Sequence, residues 1–237
     1  VAVVDTGVNP WHSHVRGAVD GCRVFLAEDG TVREDGDFRD PVGHGTAVAG
    51  VIRSGLPAAA LFAVRVFDEG LRTYPSLVAR GILRAAAEGC HVVNLSLSVG
   101  GGPGTEALAG ACAAAREAGC VLVAAGLPGV LGLLPASLPG VFGVVADDSL
   151  PLDEVALHPG HPYPYAAPGR PRNLEGLPPA ANLWGASFAC ARVAVHLASR
   201  LGDGGAPGAW EARGGGGRDK GLDPSGACRY KSPSTGD

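Results

Sequence analysis

A hydroxyl nucleophile, an imidazole base and a carboxylate stand far apart in this 237-residue chain, each beside glycine. They are Ser187 in Gly185-Ala186-Ser187-Phe188, His44 in Gly43-His44-Gly45-Thr46, and Asp5 in Asp5-Thr6-Gly7. Ser187 opens an apolar run in which Phe188, Ala191, Val195 and Ala198 recur at helical spacing, predicting a helix over Phe188 to Leu201. Unpaired backbone N–H groups and the positive end of the helix dipole favour negative charge at such a start. That environment suits a nucleophile whose reaction creates an oxyanion. Each residue also has a plainer reading. A serine before a helix is commonly its N-cap, and an Asp before Gly commonly makes a turn. A confined histidine is often a satisfied core residue, although glycine on both sides of His44 points to close approach by backbone or substrate.

The elements that must position these groups follow from hydrophobic patterning. Val1 to Val4 is a short continuous apolar run, as expected of a strand buried on both faces, and it ends at Asp5. Residues 8 to 40 are polar and turn-rich, with one strand expected at Arg23 to Leu26 and nothing assigned to His12 or His14. Small apolar residues after His44 predict a buried helix with the histidine in its first turn. Strands are predicted at Leu61–Val66, His91–Ser96, Cys120–Ala125 and Val141–Ala146, and helices at Tyr74–Glu88 and Thr105–Ala118. This alternation implies an α/β fold of three layers, a mostly parallel sheet with helices on both faces. In open parallel sheets functional groups gather at the carboxyl ends of strands, where Asp5 falls. Two further strand ends carry glycine. Ser96-Leu97-Ser98-Val99-Gly100 leaves an extended edge able to accept a peptide as an added strand, and Ala124-Ala125-Gly126 reads as a pocket wall.

Composition narrows the function classes. A net charge of -4 gives no basis for nucleic acid or an anionic membrane as partner, and no apolar run reaches the length of a membrane span. The six cysteines, Cys22, Cys90, Cys112, Cys120, Cys190 and Cys228, show no close pairing or metal-ligand spacing. Their mostly apolar contexts favour free thiols in a reducing, cytoplasmic setting. His158 and His161 lie among prolines with no third ligand, so no metal site is expected there. The chain holds no methionine and opens inside an apolar run, so its natural start is expected upstream, which leaves any signal or propeptide out of view. Residues 1–201 are expected to form one domain, and 202–237, rich in Gly, Pro, Asp and Ser, a disordered tail.

The order Asp5, His44, Ser187 and six short motifs resemble the subtilisin-like serine peptidases, the subtilases. The motifs are Val-Val-Asp-Thr-Gly at 3–7, Gly-His-Gly-Thr-Ala-Val-Ala-Gly at 43–50, Asn-Leu-Ser-Leu-Ser at 94–98, Ala-Ala-Gly at 124–126, Ala-Pro-Gly at 167–169 and Gly-Ala-Ser-Phe-Ala at 185–189. The resemblance implies a peptidase acting on peptide or protein, with Ser187 as nucleophile, His44 as proton carrier and Asp5 orienting the imidazole. It further implies that Ser96, Leu97, Ser98, Val99 and Gly100 line the substrate edge and that Ala124, Ala125 and Gly126 wall the pocket. Calcium accompanies many members of the family, but no acidic cluster here is assignable to it; oligomeric state is not legible.

The chain also departs from that pattern. Leu127 stands where the family places an asparagine that donates to the oxyanion, and Pro128 after it has no N–H. Ala186 replaces a threonine before the serine, and Cys190-Ala191-Arg192 lacks the usual proline. Loss of one oxyanion donor, in the worked case a subtilisin, costs about 2.7–4 kcal/mol. A substitute such as Asn182 would have to move in. These departures are expected to leave a slow endopeptidase restricted to a cognate precursor, similar to compact subtilases of peptide maturation such as that serving quinohemoprotein amine dehydrogenase. The competing expectations are a catalytically impaired pseudoprotease acting as a peptide-binding scaffold, and an esterase or acyl transferase using the same triad.

Overall fold

The computed structural model describes residues 1–172, 178 and 181–202. The tail expected over 202–237 lies outside the described residues except for Gly202, the last residue of the final helix. The strands are β1 (Ala2–Asp5), β2 (Val19–Leu26), β3 (Val32–Asp35), β4 (Leu61–Arg65), β5 (Val92–Leu95), β6 (Val121–Ala125), β7 (Val141–Ala146), β8 (Ala156–Leu157) and β9 (Tyr165–Ala167). The helices are α1 (His44–Gly55), α2 (Pro75–Ala87), α3 (Thr105–Glu117) and α4 (Ala186–Gly202).

All nine strands join one sheet in the order β3-β2-β4-β1-β5-β6-β7-β9-β8. Pairing is parallel throughout except for β3 on β2 and β8 on β9, the two margins. β1, β4, β5 and β6 are buried along their whole length, which is why they read as mostly apolar runs, broken only at Asp5, Arg65 and Asn94, rather than as alternating ones. α2 and α3 cover one face through Leu77, Val78, Ile82, Leu108 and Cys112. α1 and α4 cover the other, with Val48, Ile52, Phe188 and Ala191 in one cluster and Ala189, Val193 and Leu197 in the next. The three-layer α/β arrangement expected from the sequence is the one found.

The differences lie where patterning is weak. β2 begins four residues before the expected start at Arg23, and its polar partner β3 was not expected at all. β3 lies antiparallel on β2, and Arg23 and Asp35, opposite each other in the ladder, pair across it. β8 and β9 are too short for a period to register. From β1 the chain crosses to β2 and β3, steps back to β4 beside β1, and then proceeds through β5, β6 and β7 on the other side, with α1 on the opposite face from α2 and α3. The carboxyl ends of the adjacent parallel strands β1 and β5 lie at the end of the sheet where open α/β sheets gather their functional groups.

Candidate active site

Asp5 ends β1 fully buried, and His44 opens α1. The imidazole Nδ1 lies 2.7 Å from Asp5 Oδ1, which also accepts the Thr6 N–H at 2.6 Å. With Asp5 ionised, the shared hydrogen sits on Nδ1 and the imidazole donates, which leaves Nε2 as the acceptor. The flanking glycines make this contact possible in two different ways. Gly43 has φ +95°, a left-handed turn that launches α1 with the histidine first, and a side chain there would meet nothing within 4 Å. At Gly45 a Cβ would fall 2.2 Å from the Gly7 carbonyl oxygen and 3.0 Å from Asp5 Oδ1, so α1 can close on β1 only without one. A Cβ at Gly7, where φ is +111°, would fall 2.6 and 2.7 Å from the Phe38 and Arg39 carbonyl oxygens. Gly45 and Gly7 thus serve close backbone approach, and Gly43 serves the left-handed turn.

Asp40 was not singled out from sequence, although an acid four residues before His44 at a helix start was a visible signal. Its Oδ1 accepts from the Thr6 hydroxyl at 2.9 Å and from the Val42 and Gly43 N–H groups at 3.0 and 2.8 Å. Its Oδ2 accepts from the Thr46 N–H at 2.8 Å and the Thr46 hydroxyl at 2.6 Å. Thr6 in turn accepts the Gly45 N–H at 2.9 Å, tying β1, the turn and α1 into one unit. Burial by itself lowers the affinity of His44 for its proton. The charge of Asp5, its hydrogen bond and the charge of Asp40 outweigh that effect, and the imidazole pKa is raised above 6.5.

Ser187 sits in the first turn of α4 and is buried. Its hydroxyl donates to the Ser96 carbonyl at 3.1 Å, and the Ser96 hydroxyl donates to the Ser187 carbonyl at 3.1 Å. Asn94, fully buried, donates to the Ser96 hydroxyl at 2.7 Å, a second supporting residue to which no role had been assigned. No hydrogen bond joins the Ser187 hydroxyl to His44 in this conformation; Phe188, the next residue, packs its ring 5.7 Å from the imidazole. The structure thus brings Asp5 onto His44 and Ser187 onto Ser96, at the carboxyl ends of adjacent strands.

The expected substrate edge divides into two sets. Val99 exchanges backbone hydrogen bonds with Leu134 at 2.8 and 3.1 Å, and Leu97 and Val99 are buried. The side chains of those two residues face inward. Extended backbone alternates every two residues, so Ser98 and Gly100, both exposed, direct their backbone groups the other way, as does Ser96. Ala124, Ala125 and Gly126 are buried at the end of β6. Leu127 follows, partly buried, and begins a turn closed by the Val130 N–H on its carbonyl at 3.1 Å. Asn182 does not replace the missing amide, because its Nδ2 donates to the Arg172 carbonyl at 2.5 Å and its Oδ1 accepts the Leu183 N–H. Tyr163 was missed altogether. It is buried, donates to the Val130 carbonyl at 2.7 Å and accepts the Leu133 N–H at 3.3 Å, so it holds the loop after Leu127.

Cys22, Cys90, Cys112, Cys120 and Cys190 are buried and unpaired; Cys228 lies outside the described residues. Among the described residues no group of three or more His, Cys, Asp and Glu could hold a metal ion, and no helix is long and apolar enough to cross a membrane.

A doubly covered, mostly parallel sheet with a buried Asp–His pair at the end of its central strand and a serine opening a neighbouring helix defines the subtilisin-like class. The chain belongs to the subtilase family, whose model matches residues 1–127 and ends at Leu127, before the segment that carries Ser187. It is 36% identical over 135 residues to thermitase of Thermoactinomyces vulgaris, across 53% of this chain and 46% of that protein. The chain therefore spans less than half the length of that relative. Among solved structures it resembles a prenylagaramide maturation protease at 25% identity and TM-score 0.59, covering 87% of this chain and 77% of the other. It also shares its fold with a lanthipeptide protease at 20% identity and TM-score 0.63, covering 87% and 75%.

Proposed function

We propose that this protein is a serine endopeptidase that hydrolyses peptide bonds through Asp5, His44 and Ser187, slowly and on a restricted precursor. The observation that carries this reading is the 2.7 Å contact of buried Asp5 with His44, beside a strand end to which Ser187 is bonded. The reading requires the Ser187 hydroxyl to leave the Ser96 carbonyl for Nε2 of the imidazole. Catalytic hydrogen bonds commonly tighten in this way only when substrate arrives.

In the reaction, Ser187 Oγ attacks the substrate carbonyl carbon while His44 Nε2 takes its proton, and Asp5 stabilises the imidazolium. The carbonyl oxygen becomes an oxyanion next to the Ser187 backbone N–H, which lies in the first turn of α4, where helix geometry supplies no intrahelical acceptor. Collapse expels the amine, which takes the proton from His44, and leaves an ester on Ser187. Water, deprotonated by the same imidazole, releases the acid and restores the serine. Leu127 contributes no donor to the oxyanion, so the rate is expected to be low.

A dedicated maturation role, with one cognate precursor as partner, is supported by the likeness to the prenylagaramide maturation and lanthipeptide proteases. The reading also takes the setting to be reducing, supported by the unpaired buried thiols. Calcium remains part of the proposal only through the family. A fluorophosphonate probe tests the catalytic core. Ser187 is expected to be labelled in the folded protein and unlabelled in His44→Ala; a folded protein that resists the probe overturns the reading. Peptide binding without turnover is the second reading, favoured by the Ser187 hydroxyl resting on Ser96 rather than on His44. Resistance to the probe together with retained peptide binding would establish it.

A further inference from the structure

Resting on the catalytic reading above, a substrate acylating Ser187 places its carbonyl-bearing residue beside Ser96, because the nucleophilic hydroxyl lies 3.1 Å from the Ser96 carbonyl. In this reading the route inward for its side chain runs between the segment after β5 and the end of β6, strands that pair as far as Leu95 and Ala124. Three groups meet there. The Ser98 hydroxyl spans it, donating to the Ala125 carbonyl at 2.8 Å. Val99 and Leu134 close its far end with paired backbone hydrogen bonds and buried side chains. Tyr163 lies beneath it, its ring so near Gly126 that a Cβ there would fall 2.8 Å from ring carbons, and 2.7 Å from them at Gly143. Both phenol hydrogen bonds, to Val130 and Leu133, hold this ring in place.

We propose that Ser98 and Tyr163 set the specificity of the enzyme by reducing this pocket to a shallow recess, so that the residue supplying the scissile carbonyl is glycine or alanine. A larger side chain must break the Ser98–Ala125 bond and displace a ring packed against two backbones. Close-packed interiors resist such intrusion, and even a single methylene in a pocket changes rates by about 10–200-fold.

The test uses two peptidyl phosphonate diphenyl esters that differ only in carrying the alanine or the phenylalanine analogue at the reacting position, with labelling of Ser187 followed by mass spectrometry. The parent protein is expected to react at least about 100-fold faster with the alanine probe. Ser98→Gly, at an exposed position, and Tyr163→Leu are each expected to narrow that ratio by about tenfold or more, through faster reaction with the phenylalanine probe. The ratio is the readout, so a general loss of activity does not imitate the effect. Equal or preferred reaction with the phenylalanine probe overturns the specificity assignment alone. A ratio unmoved in both folded variants overturns the roles of Ser98 and Tyr163. Failure of the folded parent protein to react with either probe overturns the catalytic reading, and the inference falls with it.

Discussion

Replacing Leu127 by Asn returns an amide donor to the position just beyond β6, and the structure indicates that only the side chain would change. The turn Leu127-Pro128-Gly129-Val130 is closed by the Val130 N–H on the Leu127 carbonyl at 3.1 Å, with Pro128 at its second position and Gly129 at φ +74°. That is the residue pattern of a type II turn, which holds the backbone at 127 whichever side chain it bears. Tyr163 secures the rest of the loop at Val130 and Leu133. A donor aimed at the oxyanion contributes about 2.7–4 kcal/mol, a figure obtained on a subtilisin. Ordering the amide and stripping it of water offset part of this, about 1 kcal/mol. The expected gain in kcat is about 20- to 150-fold, at roughly 1.4 kcal/mol per tenfold. KM should change little, since the bond forms only in the transition state. The assay is single-turnover cleavage of an alanine-containing fluorogenic peptide, normalised to the Ser187 titrated by fluorophosphonate. Leu127→Ala, which adds no donor, serves as the control and should stay near the parent rate. An Asn variant that folds, labels at Ser187 and cleaves no faster than the Ala variant would refute the reasoning.

Four other outcomes follow from the same geometry. The raised pKa of His44 means that the imidazole, active as a base only when neutral, is protonated up to a higher pH than an ordinary histidine; the acid limb of kcat/KM should therefore lie high and move to lower pH in Asp40→Asn, as a pH–rate profile would show. The same shift links to stability: the contribution of protonated His44 is fully present below its unfolded value near 6.5 and is lost as pH rises through the folded value, which denaturant titration across that window checks. Gly45→Ala forces a methyl to 2.2 Å from the Gly7 carbonyl and should cost about 1–3 kcal/mol, lowering the melting temperature by roughly 2–4 °C per kcal/mol. Burial pushes the Cys22 and Cys112 thiols up to about 11, so iodoacetamide at pH 8 should leave both unmodified in the native protein and alkylate them after unfolding.

Asp5, His44 and Ser187 were legible because each stands in a short motif whose glycines announce a constrained backbone, and the parallel sheet because its central strands are mostly apolar and alternate with helical patterns. The residues that organise the site without touching the nucleophile were much less so. Asp40 works through five hydrogen bonds to Thr6, to a turn and to a helix start, and Thr6 lies far from it in sequence. Tyr163 stands far along the chain from the loop it secures. Val99 and Leu134 pair across a separation that no local period records.

The amino-acid order alone determined the layered architecture and the identity of the three candidate reacting groups, since both are written in hydrophobic period and short-range motif; the loss of an amide at Leu127 is what the resemblance to the subtilases implies. Tertiary structure decided the direction of the Ser187 hydroxyl, the sidedness of the edge at Ser96–Gly100 and the filling of the gap beside it. Those features depend on which distant backbones and side chains compete for the same space and the same hydrogen bonds, and that competition exists only once the sheet has closed.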